Sequence, residues 1–257
     1  MTATKDAPAP ARRLEWQPAL VRDIVVETPR VKSLLLDVTG WRGHLPGQHV
    51  DIRLTAEDGY QAQRSYSIAS PPEDDHLTLT VERVDDGEVS PYLLDDLRIG
   101  GRFGLRGPIG GYFVWTTDIG GPLYLIAGGS GIAPLMAMLR HRRKQNSPAP
   151  TLLLYSSRTL DDVIYRKELD AMADGDPNLR IANTLTRKQP AGWTGYSRRI
   201  DKALLAETSF LPHENPKIFV CGPTPLVETA SGLLVELGHD PLTIKTERFG
   251  PTGGQPT

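Results

Sequence analysis

Leu123-Tyr124-Leu125-Ile126-Ala127-Gly128-Gly129-Ser130-Gly131-Ile132-Ala133-Pro134-Leu135 joins an apolar run to a glycine turn and then to a helical pattern. Five apolar residues closed by glycine read as a strand buried on both faces, as a parallel sheet requires. Beyond the turn, Ile132, Leu135, Met136 and Leu139 recur at helical spacing, and Arg140, His141, Arg142, Arg143 and Lys144 gather where cations suit the helix dipole. A strand, a turn without side chains and a helix start make an anion seat. Glycines let backbone N–H groups approach a pyrophosphate, and Pro134 in the first turn gives up only an N–H that had no partner. Such turns also serve tight packing alone, so the reading depends on the rest of the chain.

Downstream the texture alternates. Strands are expected at Leu123–Ala127, Thr151–Tyr155, Leu179–Leu185, Lys217–Cys221 and Leu242–Thr246, with helices at Ile132–Lys144, Leu160–Met172, Arg199–Ala206 and Pro225–Leu237. In the last helix Thr224 reads as the cap, Pro225 as the opening residue and Gly238 as the stop. Strand and helix in alternation imply a doubly wound parallel sheet, whose ligands sit beyond the carboxyl ends of the strands. Upstream, from Trp16 to about Val114, the texture is β. Leu20–Val26, Val31–Val38, Val50–Leu54, Arg64–Ala69 and Leu77–Val84 are short β-branched segments parted by turn formers. One helix interrupts them, with Ser90 read as its cap, Pro91 as its first residue and Tyr92, Leu93, Leu94 and Leu97 as its buried side. Six or so short strands with one helix suggest a small antiparallel barrel.

The bulk numbers narrow the partners. With 29 basic and 31 acidic residues the net charge is −2, which gives no reason to expect nucleic acid. A single cysteine among 257 residues can form neither an intrachain disulfide nor a cysteine-ligated iron–sulfur cluster. No apolar run approaches the roughly 20 residues of a membrane helix, and Met1–Arg13 lacks the apolar core of a signal peptide, so the expected location is cytoplasmic. The six histidines have no metal-ligand spacing, and His141 and His239, near helix ends, read as solvated.

In the barrel half, Arg64-Ser65-Tyr66-Ser67 alternates along one strand, placing Arg64, Tyr66 and Ile68 on one face and Ser65 and Ser67 on the other. Taken alone these residues suit surface packing and solubility. Gly87-Glu88-Val89-Ser90-Pro91 adds backbone N–H groups at a helix start, a second phosphate seat.

Arg64-Ser65-Tyr66-Ser67, Gly87-Glu88-Val89-Ser90, Gly129-Ser130-Gly131-Ile132-Ala133-Pro134, Cys221-Gly222-Pro223 and Glu247-Arg248-Phe249 together resemble, in this order, the motifs of the ferredoxin–NADP reductase superfamily, and most closely the flavin/nicotinamide module of oxygenase reductases. The likeness runs from Trp16 to Gly250. It implies an FAD-binding β-barrel at 15–117 and an NAD(P)-binding α/β domain at 118–250; the Ala/Pro-rich polar composition of 1–14 reads as a disordered tail, and 251–257, a departure from family members that end at the aromatic, either folds over the adenine half of the flavin or stays disordered. It also implies that Arg64 binds the flavin diphosphate, Tyr66 packs on the isoalloxazine and Ser67 lies near N5, with Ser65 in the same motif. Thr80, Gly87, Val89 and Ser90 would complete that seat. Backbone groups of Gly129, Ser130 and Gly131 would meet the nicotinamide cofactor's pyrophosphate. Cys221, with Gly222 and Pro223, would sit by the nicotinamide, Glu247 nearby as a proton source, and Phe249 would cover the other flavin face.

Each has a plainer reading. Cys221 follows Ile218-Phe219-Val220 and suits a small buried hydrophobe, and Glu247 suits a surface carboxylate paired with Arg248. For the choice of nicotinamide, the second strand ends Tyr155-Ser156-Ser157-Arg158 with no carboxylate for a ribose 2′-hydroxyl, and Thr186-Arg187 follows the third. Ser157, Arg158 and Arg187 therefore point to the 2′-phosphate of NADP, since guanidinium bonds two phosphate oxygens at once. Asp161 and Asp162 keep NAD open, and both arginines also suit ordinary surface charges. The sequence is thus read as an FAD-dependent NAD(P)H oxidoreductase handing electrons to a separate redox protein, such as a ferredoxin or an oxygenase component. A flavin or ferric-chelate reductase with a diffusible acceptor, or a flavin-holding redox subunit without turnover, are its rivals.

Overall fold

The structure, a computed structural model, describes residues 14–250. The tails expected at 1–14 and 251–257 fall, Leu14 apart, outside the described residues. Strands β1 (Gln17–Thr28), β2 (Val31–Val38), β3 (His49–Thr55), β4 (Gln61–Ser67), β5 (Leu77–Glu82) and β6 (Arg102–Ile109) form one antiparallel sheet in the order β4-β3-β6-β1-β2-β5. An antiparallel bridge between Ile68 and Leu79 and the Ala69 N–H···O=C Thr78 bond of 2.8 Å close this sheet into a barrel. Strand alternation builds its core: Leu77, Leu79 and Val81 of β5 point in against Leu34, Leu36, Val50, Ile52 and Leu105, while Thr78, Thr80 and Glu82 point out. β6 carries no alternating run that would mark it in the sequence, because Gly104, Gly107 and Pro108 interrupt it.

Helix α1 (Val89–Pro91) runs into a π-helical turn at Tyr92–Asp96 and seals the barrel with Val89, Leu93, Leu94 and Leu97. Ser90 does not cap it. Glu88 stands at the N-cap without a side-chain bond, and the Ser90 hydroxyl accepts the Val84 N–H at 3.0 Å instead.

The second half follows the alternation closely: β7 (Leu123–Gly128), α2 (Ile132–Lys144), β8 (Thr151–Ser157), α3 (Arg166–Asp174), β9 (Leu179–Leu185), α4 (Lys202–Thr208), β10 (Lys217–Pro223), α5 (Thr224–Glu236) and β11 (Ile244–Phe249). The strands are all parallel, ordered β11-β10-β7-β8-β9, so strand order reverses between β7 and β10. Leu123, Leu125 and Ala127 face α2 and α3 on one side of the sheet. Tyr124 and Ile126 face α4 and α5 on the other. Period-two alternation in a strand with two buried faces thus produces two separate apolar layers.

Three helical readings and one strand reading shift. The single helix expected at Leu160–Met172 is a short turn at Leu160–Asp162, started by the reciprocal Thr159–Asp162 cap, and then α3, because the backbone is extended at Val163 and left-handed at Tyr165 between them. The one expected at Arg199–Ala206 begins later, where the Asp201 carboxylate accepts the Leu204 N–H at 2.7 Å. Asp240 starts a turn at Pro241–Thr243 that delays the last strand to Ile244. Pro223 rather than Thr224 stands at the N-cap of α5.

The two halves share a core. Val31 and Ala69 of the barrel, with Phe113 and Trp115 of the connection, join Leu135, Met136 and Met138 of α2 in one apolar cluster. Helix α2 is buried almost throughout. Arg140 donates to the Ala69 carbonyl at 2.8 Å, and the His141 ring, its Nδ1 2.6 Å from Glu73, lies 7% exposed against Trp115. His239 is likewise buried. Neither histidine is the solvated side chain its helix-end position suggests, and over His141 it is Glu73 of the barrel half and Trp115 of the connection that pack.

Candidate functional site: a cleft between barrel and sheet

Where strand order reverses, the carboxyl ends of the parallel strands open toward the barrel. The resulting cleft is lined by Gly128 and Gly129 after β7, Ser156, Ser157 and Arg158 at the end of β8, Thr186 after β9, and Pro223 and Phe249 at the ends of β10 and β11. Thr28, Arg30, Val31 and Glu82 form the barrel wall. A larger recess on the edge strand β9, between Arg180 and Thr208, holds none of the residues singled out by motif.

The glycines divide their labour. Gly129 has φ 54° and space on its outer side, where a Cβ would meet only a Glu82 carboxylate oxygen, 3.8 Å away. A Cβ on Gly131 would overlap the Cys221 carbonyl, and one on Gly222 would lie 3.2 Å from Gly128. Gly131 and Gly222 are therefore glycines because β7, β10 and the start of α2 touch backbone to backbone. That packing brings the ends of β7 and β10 to one point. The turn is pinned from behind, the Tyr155 hydroxyl donating to the Gly129 carbonyl at 3.0 Å and accepting the Ile164 N–H at 3.3 Å.

Cys221 and Glu247 lie opposite each other in the β10–β11 register, as do Pro223 and Phe249. Burial, then the nearby Glu247 charge, pushes the Cys221 thiol well above its ordinary value. A buried thiol raised in this way stays protonated and packs as a small apolar side chain. Burial also pushes Glu247 up to about 7, and its buried Oε2 has no hydrogen-bond partner among the described residues. Arg248 does not pair with it, but bonds Glu228 at 2.7 Å. Adjacent strand residues point to opposite faces, which separates Glu247 from Arg248.

On the barrel, Arg64 is exposed, its guanidinium held only by the Gln63 carbonyl at 2.7 Å among the described residues. Tyr66 packs against the barrel core, and burial pushes its phenol up to about 12. Ser65 is committed elsewhere, donating to Asp51 at 2.7 Å. Ser67 stands opposite His49 in the β3–β4 register, on the same outward face. Burial lowers the His49 pKa, with Asp51 acting against it. Gly87 and Ser90 form a turn folded onto Val84, while Val89 gives its side chain to the core. Thr80, expected in the flavin seat, has its hydroxyl engaged within the protein. It is buried, its hydroxyl bonded to Ser33 and to Tyr165 of the other half, because outward positions of β5 are covered there by the start of α3. His49, Glu82 and Tyr165 belong to none of the motifs, since strand pairing and domain packing are what place them.

The residues fit the groups that the motifs imply. An exposed arginine beside a helix-start turn suits a diphosphate, and a carboxyl group raised to about 7, with an unpartnered oxygen and an aromatic two residues on, suits stacked rings. Among the described residues no group of three or more metal-ligating side chains occurs, and no helix is long and apolar enough to cross a membrane.

Comparison with known proteins agrees. The oxidoreductase FAD-binding domain family matches residues 29–114 and the oxidoreductase NAD-binding domain family residues 125–232. The glycine betaine monooxygenase reductase subunit of Chromohalobacter salexigens is 32% identical over 80% of this chain and 56% of its own length. NADH-cytochrome b5 reductase 1 of Neosartorya fischeri is 31% identical over 75% of this chain and 64% of its own. The FAD/NAD-binding domain of a Vibrio cholerae nitric oxide dioxygenase superposes with a TM-score of 0.81 at 25% identity, covering 91% of this chain and 99% of that one. The chain spans little more than half the length of the first curated relatives, 56%. With both domain families matched in order and both sheets in place, the chain belongs to the ferredoxin–NADP reductase superfamily of FAD- and nicotinamide-binding oxidoreductases.

Proposed function

We propose that this chain takes a hydride from a reduced nicotinamide onto FAD and passes the electrons singly to a separate redox protein. The observation that carries this is the cleft itself, where Gly129, Ser157, Arg158 and Phe249 from the parallel strands face Val31 and Glu82 of the barrel. Bound FAD supplies the one chemistry side chains lack, accepting two electrons together and releasing them one at a time.

The protein's part is to bind, orient and exclude water. Arg64 and the Gly87–Ser90 turn hold the diphosphate, Tyr66 and Phe249 supply flat apolar surfaces, and Ser67 offers a hydroxyl toward the reacting edge. Gly129 and Ser130 give backbone N–H groups to the nicotinamide cofactor, while Gly131 and Gly222 bring β7 and β10 close enough for Cys221 to crowd the ring. Glu247, poised near neutral pH, holds or releases a proton on the cleft side of β11. The FAD-binding half corresponds to 15–117 and the nicotinamide-binding half to 118–250. The relatives named as monooxygenase reductase subunits support an oxygenase component or ferredoxin as the acceptor.

NADP is favoured by Arg158 in the cleft wall and Arg187 just beyond it. NAD has one specific observation behind it: Asp162 lines the same cleft, its carboxylate fixed by the Thr159 N–H at 3.0 Å. Anaerobic stopped-flow mixing of FAD-loaded protein with NADPH and with NADH decides both questions. Rapid flavin bleaching is expected, faster with NADPH, and Arg158→Ala with Arg187→Ala should raise KM for NADPH about tenfold and leave that for NADH nearly unchanged. No bleaching by either would overturn the hydride step and leave the flavin-holding subunit.

A further inference from the structure

Three residues past the Thr159–Asp162 turn, Tyr165 holds a left-handed backbone with φ 58°, a conformation that a bulky side chain keeps only under external constraint. It lies 4% exposed between the two halves of the molecule. The Arg140 guanidinium covers its ring at 4.8 Å from the centroid, and its hydroxyl is bonded to Thr80 of β5. From Thr80 the chain of bonds continues 2.9 Å to Ser33 of β2, whose hydroxyl donates to Glu27 of β1 at 2.7 Å. The same segment is fastened in the other direction, through the Ile164 N–H and the Tyr155 hydroxyl, to the Gly129 carbonyl. Residues 157–165 thus join the glycine turn to three barrel strands, and Ser157, Arg158 and Asp162 within them line the cleft.

Stability does not account for this arrangement. A neutral hydrogen bond contributes about 0.5–1.5 kcal/mol net, and a left-handed bulky residue costs about 1–3 kcal/mol. The shared apolar cluster already holds the halves together. What a directional bond on a constrained backbone adds is a fixed angle and spacing between sheet and barrel. Hydride transfer between two stacked rings depends on such spacing, a displacement of about 1 Å costing up to about a hundredfold in rate.

We propose that Tyr165, with Thr80 as its barrel partner, is a positioning residue for the hydride step, setting the separation between the nicotinamide seat at Gly129 and Ser157–Asp162 and the flavin seat on the barrel. This rests on the function proposed above. The test uses the full chain carrying FAD and compares Tyr165→Phe, Thr80→Val and the double variant. Tyr165→Phe should slow the limiting rate of flavin reduction about tenfold and weaken the long-wavelength nicotinamide–flavin absorbance, with FAD affinity, melting temperature and half-saturating nicotinamide little changed. Thr80→Val should match it, and the double variant should be no slower than either, because one bond is being removed. In the flavin-free chain, hydrogen exchange at Ile164–Arg166 and at Thr80–Glu82 should quicken together in Tyr165→Phe.

Reduction rate and long-wavelength absorbance within about twofold of wild type would overturn the proposal, whatever happened to melting. So would faster exchange at Ile164–Arg166 without any change at Thr80–Glu82. Failure of the underlying function is distinguishable, since wild-type flavin would then not be bleached by either nicotinamide.

Discussion

Glu247 is the residue whose charge the fold most alters. Its pKa rises from the ordinary 4.5 to about 7 because it is buried. The native state therefore holds a proton that the unfolded chain releases between those values, and stability falls as pH rises from about 4.5 through about 7. At about 1.4 kcal/mol per unit the upper bound of that loss is near 3 kcal/mol. Glu247→Gln should melt close to wild type at acid pH and several degrees higher at pH about 8; equal melting at both ends of a pH series would contradict the burial argument. At Arg64 the expected effect is on the cofactor. Arg64→Ala removes a charged donor worth about 1.5–3 kcal/mol, so FAD should dissociate roughly ten- to a hundredfold more readily, read from flavin fluorescence. Both residues are legible as motif positions. Their states are not: the motif leaves Glu247 open to pairing with Arg248, and only the pairing of β11 with β10 settles that they face opposite ways.

At the level of elements, glycine and capping residues decide where strands and helices meet. Gly131 is wedged against the β10 backbone, so Gly131→Ala should lower stability by about 1–3 kcal/mol through forced separation of α2 and β10. Gly232, inside α5 with open space where a Cβ would go, gives the opposite expectation: Gly232→Ala should stabilise by about 0.5–1 kcal/mol. Thermal melts of the two variants check the pair, and a neutral Gly131→Ala would show that the contact relaxes freely. The glycine-rich turn is visible in the sequence, where all its glycines read as serving phosphate. Packing claims Gly131, and Gly129 alone combines a positive φ with an open outer side. In the same way, Leu160 to Met172 has helical spacing, yet the turn that Thr159 caps ends at an extended Val163, and the contacts of Tyr165 with the barrel hold it left-handed at the start of α3.

Across the whole molecule, helix α2 is the member that makes two halves one body. It follows directly from the glycine turn, packs on the sheet with one face, and meets the barrel through Arg140 and His141. Arg140 also bonds both oxygens of Glu168, at 2.9 and 2.6 Å, so it ties α2, α3 and the Ala69 carbonyl together. Calorimetry of the chain should accordingly give a single transition. Arg140→Gln, which loses about 2 kcal/mol of charge-assisted bonding, should lower the midpoint by roughly 5 °C and broaden it as barrel and sheet begin to melt separately. Two transitions in the wild type would refute the shared core as a cooperative unit.

Local chemistry was enough to place the β and then α/β textures, the glycine turn, the Arg64–Ser67 strand and the order of motifs, because alternation, helical spacing and turn residues act over a few positions. Tertiary structure alone decided that His141 and His239 are buried, that the Thr80 hydroxyl is bonded to Tyr165, that His49 stands beside Ser67, and that Glu247 sits near neutrality. Those outcomes depend on which strands pair and which surfaces cover one another, contacts between residues far apart in the chain, and on the exclusion of water that follows from them.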